Sequence, residues 1–214
     1  MNRSIISSTG ALGVTLSLAC NGMGVAAASP AQHWSLSYEI VTADFRSEVG
    51  CTLHTVNISA TRQVWSEGPG LRGQQIDGTL TITEEDLCGP AGVFRTIYGS
   101  FRPKRLTIAE SNAAKLSAAV DAFDIDDSSL TPIRYNVNLS WVRTGSVDRR
   151  VTHFNERFPE ARSILHAKSS GANAAVTGSV TLATAPSANQ VAGQVGDGFV
   201  GQSRERSMQV AVRR

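Results

Sequence analysis

Apolar and polar residues alternate along most of the chain after about residue 30. A period of two is typical of a β-strand with one buried face. The pattern recurs in about ten segments, which follow one another at intervals of about ten residues. Such intervals are typical of a β-sandwich or barrel. We therefore predict an all-β fold, an antiparallel β-sandwich or barrel of about ten strands with little helix. The most regular run has apolar side chains separated by single polar ones at Ile133, Tyr135, Val137, Leu139 and Trp141.

One segment fits two kinds of secondary structure. Ala113, Leu116 and Val120 share one face of a helix. Leu116, Ala118 and Val120 also alternate as in a strand. A polar turn at 126–129 joins this segment to the regular strand described above. Because two strands and a turn make a hairpin, we predict a strand here.

The glycine-rich segment near the end of the sequence matches Gly-x-Gly-x-x-Gly at Gly196, Gly198 and Gly201. That motif binds a dinucleotide only when a helix follows it directly, so that backbone amides point at the phosphates. The residues after Gly201 leave no room for that unit, so we expect no such cofactor. We predict final strands at Val191–Val195 and Met208–Val212, joined by a flexible or bulged glycine link.

Residues 1–28 have the layout of a secretory signal peptide. Arg3 gives a positive start, Ala11–Val25 is apolar, and three alanines end at Ala28. We predict removal of residues 1–28 and a single secreted domain at 29–214. No later apolar run approaches the roughly 20 residues that span a bilayer, so we expect no transmembrane anchor.

A second interpretation of the leader remains open. Leu16–Cys20 resembles a bacterial lipobox, in which the cysteine becomes the lipidated first residue. Ser17 stands where that motif normally has an aliphatic residue. The alternative to free secretion is therefore a protein that is lipid-anchored through Cys20.

Two cysteines remain after the leader, Cys51 and Cys88. An even number of cysteines in an oxidising compartment favours a disulfide, and we predict one between these two. Two buried thiols are the alternative.

The charge balance argues against a nucleic-acid partner. The chain has 20 Lys and Arg against 18 Asp and Glu, a formal net charge of +2. Arg3 is the only charged residue of the leader. A nearly neutral mature chain has no strong overall field for nucleic acid or an anionic bilayer.

Two histidines are candidate metal ligands. His153 and His166 lie symmetrically about Pro159–Glu160. If Phe158–Ala161 forms a tight turn, the two imidazoles face each other on neighbouring strands, where they could share zinc or copper. Because no third ligand is evident, the alternative is a pair of ordinary histidines. We expect no other cofactor.

The acidic segment Asp124–Ser128 resembles the start of a calcium-binding loop. Such a loop requires glycine at its sixth position and glutamate at its twelfth, where this chain has Ser129 and Tyr135. We therefore interpret the segment as a polar hairpin turn. The acidic run Glu84–Asp86 is interpreted as a polar strand end.

The segment Leu116–Gly145 contains a tryptophan strand around Trp141 followed by a Thr144–Gly145 turn. It resembles a loose group of uncharacterised secreted bacterial β-rich proteins. The resemblance implies a secreted all-β protein and transfers no function.

The leading functional hypothesis is a secreted, non-catalytic binding or cell-envelope-associated module with an extracellular or cell-wall ligand. The alternative is a small extracellular hydrolase or metal-dependent enzyme on a β-sandwich. An enzyme requires a deep pocket with converging titratable groups, whereas a binding module displays an exposed aromatic or apolar patch. Trp65, just before Gly68–Gly70, is the candidate recognition residue, and we expect it at a loop tip.

Overall fold

The computed structural model describes residues 32–211 except 69, 90–91, 104, 110–111, 129–130, 160 and 186–190. The predicted signal peptide and Cys20 lie outside the described residues. In the described part of the chain, no helix is long and apolar enough to cross a membrane. The described residues form ten strands: β1 (Gln32–Val49), β2 (Thr52–Glu67), β3 (Leu71–Asp86), β4 (Gly92–Phe101), β5 (Arg105–Ala109), β6 (Ala113–Asp124), β7 (Ile133–Arg143), β8 (Asp148–Arg157), β9 (Ala161–Leu182) and β10 (Val195–Ala211).

All strand pairings are antiparallel, which confirms the predicted all-β fold. Eight strands follow one another in the order β1-β2-β3-β4-β6-β7-β9-β10. Since β10 pairs with both β9 and β1, the sheet closes on itself as a barrel. Two strands lie off this ring: β5 pairs with β6, and β8 pairs with β9.

The ambiguous segment is the strand β6, as predicted. It forms the expected hairpin with β7, in which Leu116 lies opposite Leu139. The ladder continues without interruption from Ala113 to Ala122. Cross-strand pairing therefore decides between two conformations that the local pattern leaves open.

The prediction of two short final strands is wrong. A single strand, β10, runs through the glycines, and its ladder with β1 is continuous from Asp197 to Gln209. Likewise, β9 is a single strand of 22 residues that runs through Gly171 and Gly178. Glycine lacks a side chain and so interrupts the hydrophobic pattern, although it does not interrupt the backbone ladder.

Glycines on β10 make room for large side chains inside the barrel. A Cβ at Gly198 would collide with the backbone of Thr42 and with Val176, and would lie 2.9 Å from the Trp141 Nε1. A Cβ at Gly196 would lie 2.6 Å from the Phe45 ring. The glycine motif therefore allows close packing and is not a dinucleotide-binding loop.

Trp141 occupies the barrel core. It is 1% exposed, and its Nε1 donates a hydrogen bond to the Thr42 oxygen at 2.6 Å, which links β7 to β1 across β9 and β10. A buried indole N–H without such a partner would cost free energy. The other largest fully buried side chains are Tyr135, Phe45, Leu80, Ile82, Ile97, Val41, Val56, Val120, Val137, Val176 and Val180.

Several strands continue beyond one end of the barrel and form what we call the extension. It is a six-stranded sheet in the order β8-β9-β10-β1-β2-β3. Its inner face continues the positions that point into the barrel, and its outer face continues the positions outside. None of its described residues is fully buried except Gly171 and Gly201, which adjoin the barrel. The extension comprises 148–157, 161–171, 201–211, 32–40, 61–67 and 71–77.

The disulfide lies at the opposite end of the barrel. Cys51 in the β1–β2 turn is bonded to Cys88 just after β3, with a Cα–Cα distance of 5.3 Å. The Leu87 N–H donates to the Cys51 oxygen at 2.7 Å beside it. The bond closes a loop across 37 positions. Chain entropy values a loop of that length at about 4 kcal/mol.

The Gly198→Val substitution should destabilise the barrel by about 1–3 kcal/mol, because its side chain overpacks the site beside Trp141. Urea unfolding followed by far-ultraviolet circular dichroism measures the change. Gly145→Ala is the matched control, because a Cβ at Gly145 meets nothing within 4 Å. Equal stability of the two variants would contradict the packing role of Gly198.

The double substitution Cys51→Ser/Cys88→Ser should lower the free energy of unfolding by up to about 4 kcal/mol, because the unfolded chain regains loop freedom. Thermal unfolding with and without dithiothreitol measures the loss. The reductant should destabilise the wild-type chain and leave the double variant unchanged. A wild-type protein indifferent to reduction would show that the bond adds no stability.

Candidate functional site

The inner face of the extension carries a cluster of exposed cations, which we call the basic face. Four of them are Arg149 on β8, Lys168 on β9, and Arg204 and Arg206 on β10. Lys168 lies directly opposite Arg204. Direct partners across a ladder and alternate residues along a strand share a face, so these side chains all project to one side.

Carboxylates on these strands point the other way. Asp148, Glu156 and Glu205 occupy the intervening positions and therefore project from the outer face. Among the described residues of the extension, Glu39 is the only carboxylate on the inner face. Its Oε2 lies 2.5 Å from Arg62 Nη2, so its charge is already compensated. The face therefore keeps a local excess of positive charge.

A surface pocket of about 510 Å³ opens on the basic face. Its lining includes Arg149, Lys168 and Arg204, and β7 contributes Arg143. Within the described ranges, none of these four cations has an ion-pair partner. Arginine and lysine side chains without a carboxylate partner are available to an anionic ligand.

His153 and His166 lie in the middle of the basic face. The structure places them directly opposite each other on β8 and β9, with ring centroids 4.2 Å apart and planes inclined by 60°. The hairpin closes with a hydrogen bond from the Phe158 N–H to the Ala161 oxygen at 2.7 Å. Desolvation, followed by the charge of His153 and of two neighbouring cations, lowers the pKa of the His166 imidazole.

The metal role of His153 and His166 stays a prediction. In the part of the chain that the structure describes, no group of three or more His, Cys, Asp or Glu could hold a metal ion. Two adjacent side chains, Lys168 and Arg206, are cations. Their positive field opposes a metal dication as it opposes a proton.

The outer face of the extension has a different chemistry. Trp34, Leu36 and Trp65 form a half-buried apolar patch on β1 and β2, and Phe154 adds a more exposed ring on β8. Trp65 lies within β2 and not at the expected loop tip. Its indole covers Gly73 on the paired strand. Its role in recognition stays a prediction.

A second group of charges lies at the disulfide end of the barrel. Glu84 Oε1 lies 3.5 Å from His54 Nδ1, and Glu84 Oε2 lies 3.7 Å from Arg95 Nη1. Arg95 Nε donates to Asp124 Oδ2 at 2.6 Å. This hydrogen bond lowers the pKa of the Asp124 carboxyl and raises that of Arg95. Glu84 and Asp124 therefore share Arg95 as their cationic partner.

The hairpin interpretation of the acidic turn agrees with these contacts. Asp124 is engaged by Arg95, and the Thr96 N–H donates to Asp126 Oδ2 at 2.9 Å. Asp126 N also donates back to Asp124 Oδ1 at 3.1 Å. The two carboxylates therefore hold the turn to β4.

Sequence reasoning missed the basic face. Its cations are far apart in the chain, on β7, β8, β9 and β10, and their strands join only through long-range pairing. The sequence contains one signal of this face: Arg204 and Arg206 share one side of their strand, and Glu205 between them lies on the other. Without the register of β9 against β10, the sequence does not show which residues of β9 lie on the same face as these two arginines.

Comparison with known proteins identifies no family for this chain. No family model matches the chain, and no curated protein matches it. One similar solved structure is described as an acetoacetate decarboxylase-like enzyme from Sphingomonas wittichii RW1. The match has 9% sequence identity, covers 85% of this chain and 92% of that one, and has a TM-score of 0.28. A likeness at that level does not extend to the site or to function.

Arg95→Gln should raise the pKa of Asp124 toward its ordinary value of about 3.9, because the charged hydrogen bond is lost. A lowered folded pKa stabilises the protein above the unfolded value, and this stabilisation disappears as pH falls through the folded pKa. Carboxyl NMR titration measures the shift. Arg134→Gln, which removes the partner of Asp121, should leave Asp124 unmoved. An unchanged Asp124 pKa in Arg95→Gln would contradict the assignment.

Proposed function

We propose that the protein is an exported, non-catalytic binding module that holds its ligand on the extension. The observation that carries the proposal is the open six-stranded sheet itself. It projects beyond the barrel, and every one of its described side chains is at least partly exposed. A sheet without buried side chains contributes little to a core, and exposed patches of this kind are typical of interaction surfaces.

The barrel interior favours binding over catalysis. It is filled by large side chains such as Trp141, Tyr135 and Phe45, each no more than 2% exposed. At the disulfide end, Glu84 and Asp124 are engaged by Arg95. An extracellular hydrolase or metal-dependent enzyme, the alternative function, requires an open cavity with converging titratable groups.

Export is supported by the leader and by the disulfide. A bond between Cys51 and Cys88 is stable in an oxidising compartment and rare in the cytosol. The predicted leader at 1–28 supplies the route. Mass spectrometry of the exported chain distinguishes cleavage after Ala28 from a lipid anchor at Cys20.

The outer apolar patch suggests where recognition takes place. Trp34 and Trp65 are half-buried rings on adjacent strands, and tryptophan is enriched among residues that dominate binding energy. Both lie on a face that continues past the barrel wall. We therefore assign Trp65 a role in ligand recognition as part of this patch.

Cosedimentation of the mature chain with envelope material from the cells that export it tests the proposal. The wild-type chain should bind, and Trp65→Ala should weaken binding about tenfold, equal to about 1.4 kcal/mol. Tyr98→Ala is the matched control, because this exposed ring lies on β4 outside the extension. Absence of binding, or hydrolysis of the envelope material, would overturn the proposal.

A further inference from the structure

We infer that the basic face of the extension binds an acidic carbohydrate polymer through its carboxylate or sulfate groups. The inference goes beyond the proposed function, because it assigns a second binding surface to the same extension. It differs in assigning the charged contacts to the inner face, whereas Trp65 lies on the outer face.

The arrangement of the cations fits a polymer better than a single ion. Same-face residues along a strand lie about 6.6–6.8 Å apart, and neighbouring strands about 4.8 Å apart. Arg149, Lys168, Arg204 and Arg206 therefore form a two-dimensional array over three strands. A small anion can contact only part of such an array, whereas a chain with repeated acidic groups can contact all of it.

The array extends along the strands. Beyond the histidine pair, Arg162 lies on the same face of β9, and its Nε donates to Asn155 at 3.0 Å. From Arg162 to Ser170 the strand rises by about 27 Å. Arg157 lies opposite Arg162 and is exposed. The positive surface is thus a strip along the strands with room for several repeat units.

The shape of the face argues against a lipid bilayer. The inner face continues the concave inside of the barrel, and three surface pockets open on it. A flat anionic membrane cannot follow a concave surface, so the cations inside the curve would stay out of reach. A flexible polymer can lie along it.

The composition of the face argues against single-stranded nucleic acid. Proteins that bind it stack bases on aromatic side chains within a positive groove. Among the described residues, the inner face of the extension carries no Phe, Tyr or Trp. The aromatic rings of these strands, such as Trp34 and Phe154, project from the outer face.

Direct binding measurements with purified polymers test the inference. Polygalacturonate and dextran sulfate should bind the mature wild-type chain, and neutral dextran should not. The affinity for both acidic polymers should fall as sodium chloride rises, because exposed charge pairs are screened. The triple variant K168Q/R204Q/R206Q should bind at least ten times more weakly.

The matched control removes three cations that lie elsewhere. Arg46, Arg102 and Arg134 have side chains 72%, 88% and 61% exposed, and the variant R46Q/R102Q/R134Q loses the same net charge. This control should keep wild-type affinity. Equal weakening in both triple variants would show an effect of net charge and would overturn the assignment to the basic face. Circular dichroism confirms that both variants are folded.

The remaining outcomes separate the inference from the proposed function. Acidic-polymer binding that K168Q/R204Q/R206Q leaves unchanged overturns the inference and leaves the binding module standing. Acidic-polymer binding without any envelope binding supports the inference and contradicts an envelope-associated role. Single-stranded DNA bound as tightly as polygalacturonate overturns the carbohydrate assignment.

Discussion

The pairing of β9 with β10 is the interaction on which the rest of the structure depends. Its ladder runs from Ala161 opposite Ala211 to Thr177 opposite Val195. The longer part of that ladder, from Ala161 to Gly171, forms the middle of the extension, and the shorter part closes the barrel. Lengthening an antiparallel ladder adds two backbone hydrogen bonds at every second pair and a cross-strand side-chain contact at every pair. One pair of strands thus anchors both the packed core and the open sheet.

The same strands change function along their length because the two ends have different neighbours. Toward the barrel, inner positions such as Val176 and Val200 are fully buried against the opposite wall. Beyond the barrel, the corresponding positions are Lys168 and Arg204, which face solvent. A period of two requires an inner and an outer side throughout, but it does not require the inner side to be apolar. The basic face begins where the barrel stops burying that side.

The sequence predicts local features of this fold well. Alternation identifies most strands, the β6–β7 hairpin follows from its turn, and the two cysteines after the leader allow one pairing. Closure of the barrel was not predictable, because it depends on the register between β1 and β10, which are separated by most of the chain. The length of β9 was not predictable either, because the weakly apolar stretch around Ser169–Gly171 interrupts the alternation of apolar and polar residues. In both cases tertiary pairing overrides a broken local pattern.

The candidate site could not be predicted from the sequence, because the net charge of a chain does not show how its charges are distributed in space. A net charge of +2 over 214 residues suggests no affinity for anions. Electrostatic interactions between exposed groups are, however, screened over about 8 Å at physiological salt, so a ligand responds to the charges nearest to it. The sheet places Glu205 on one face and its neighbours Arg204 and Arg206 on the other. Charges that cancel in the composition are thereby separated in space, and a nearly neutral protein can display a strongly positive surface.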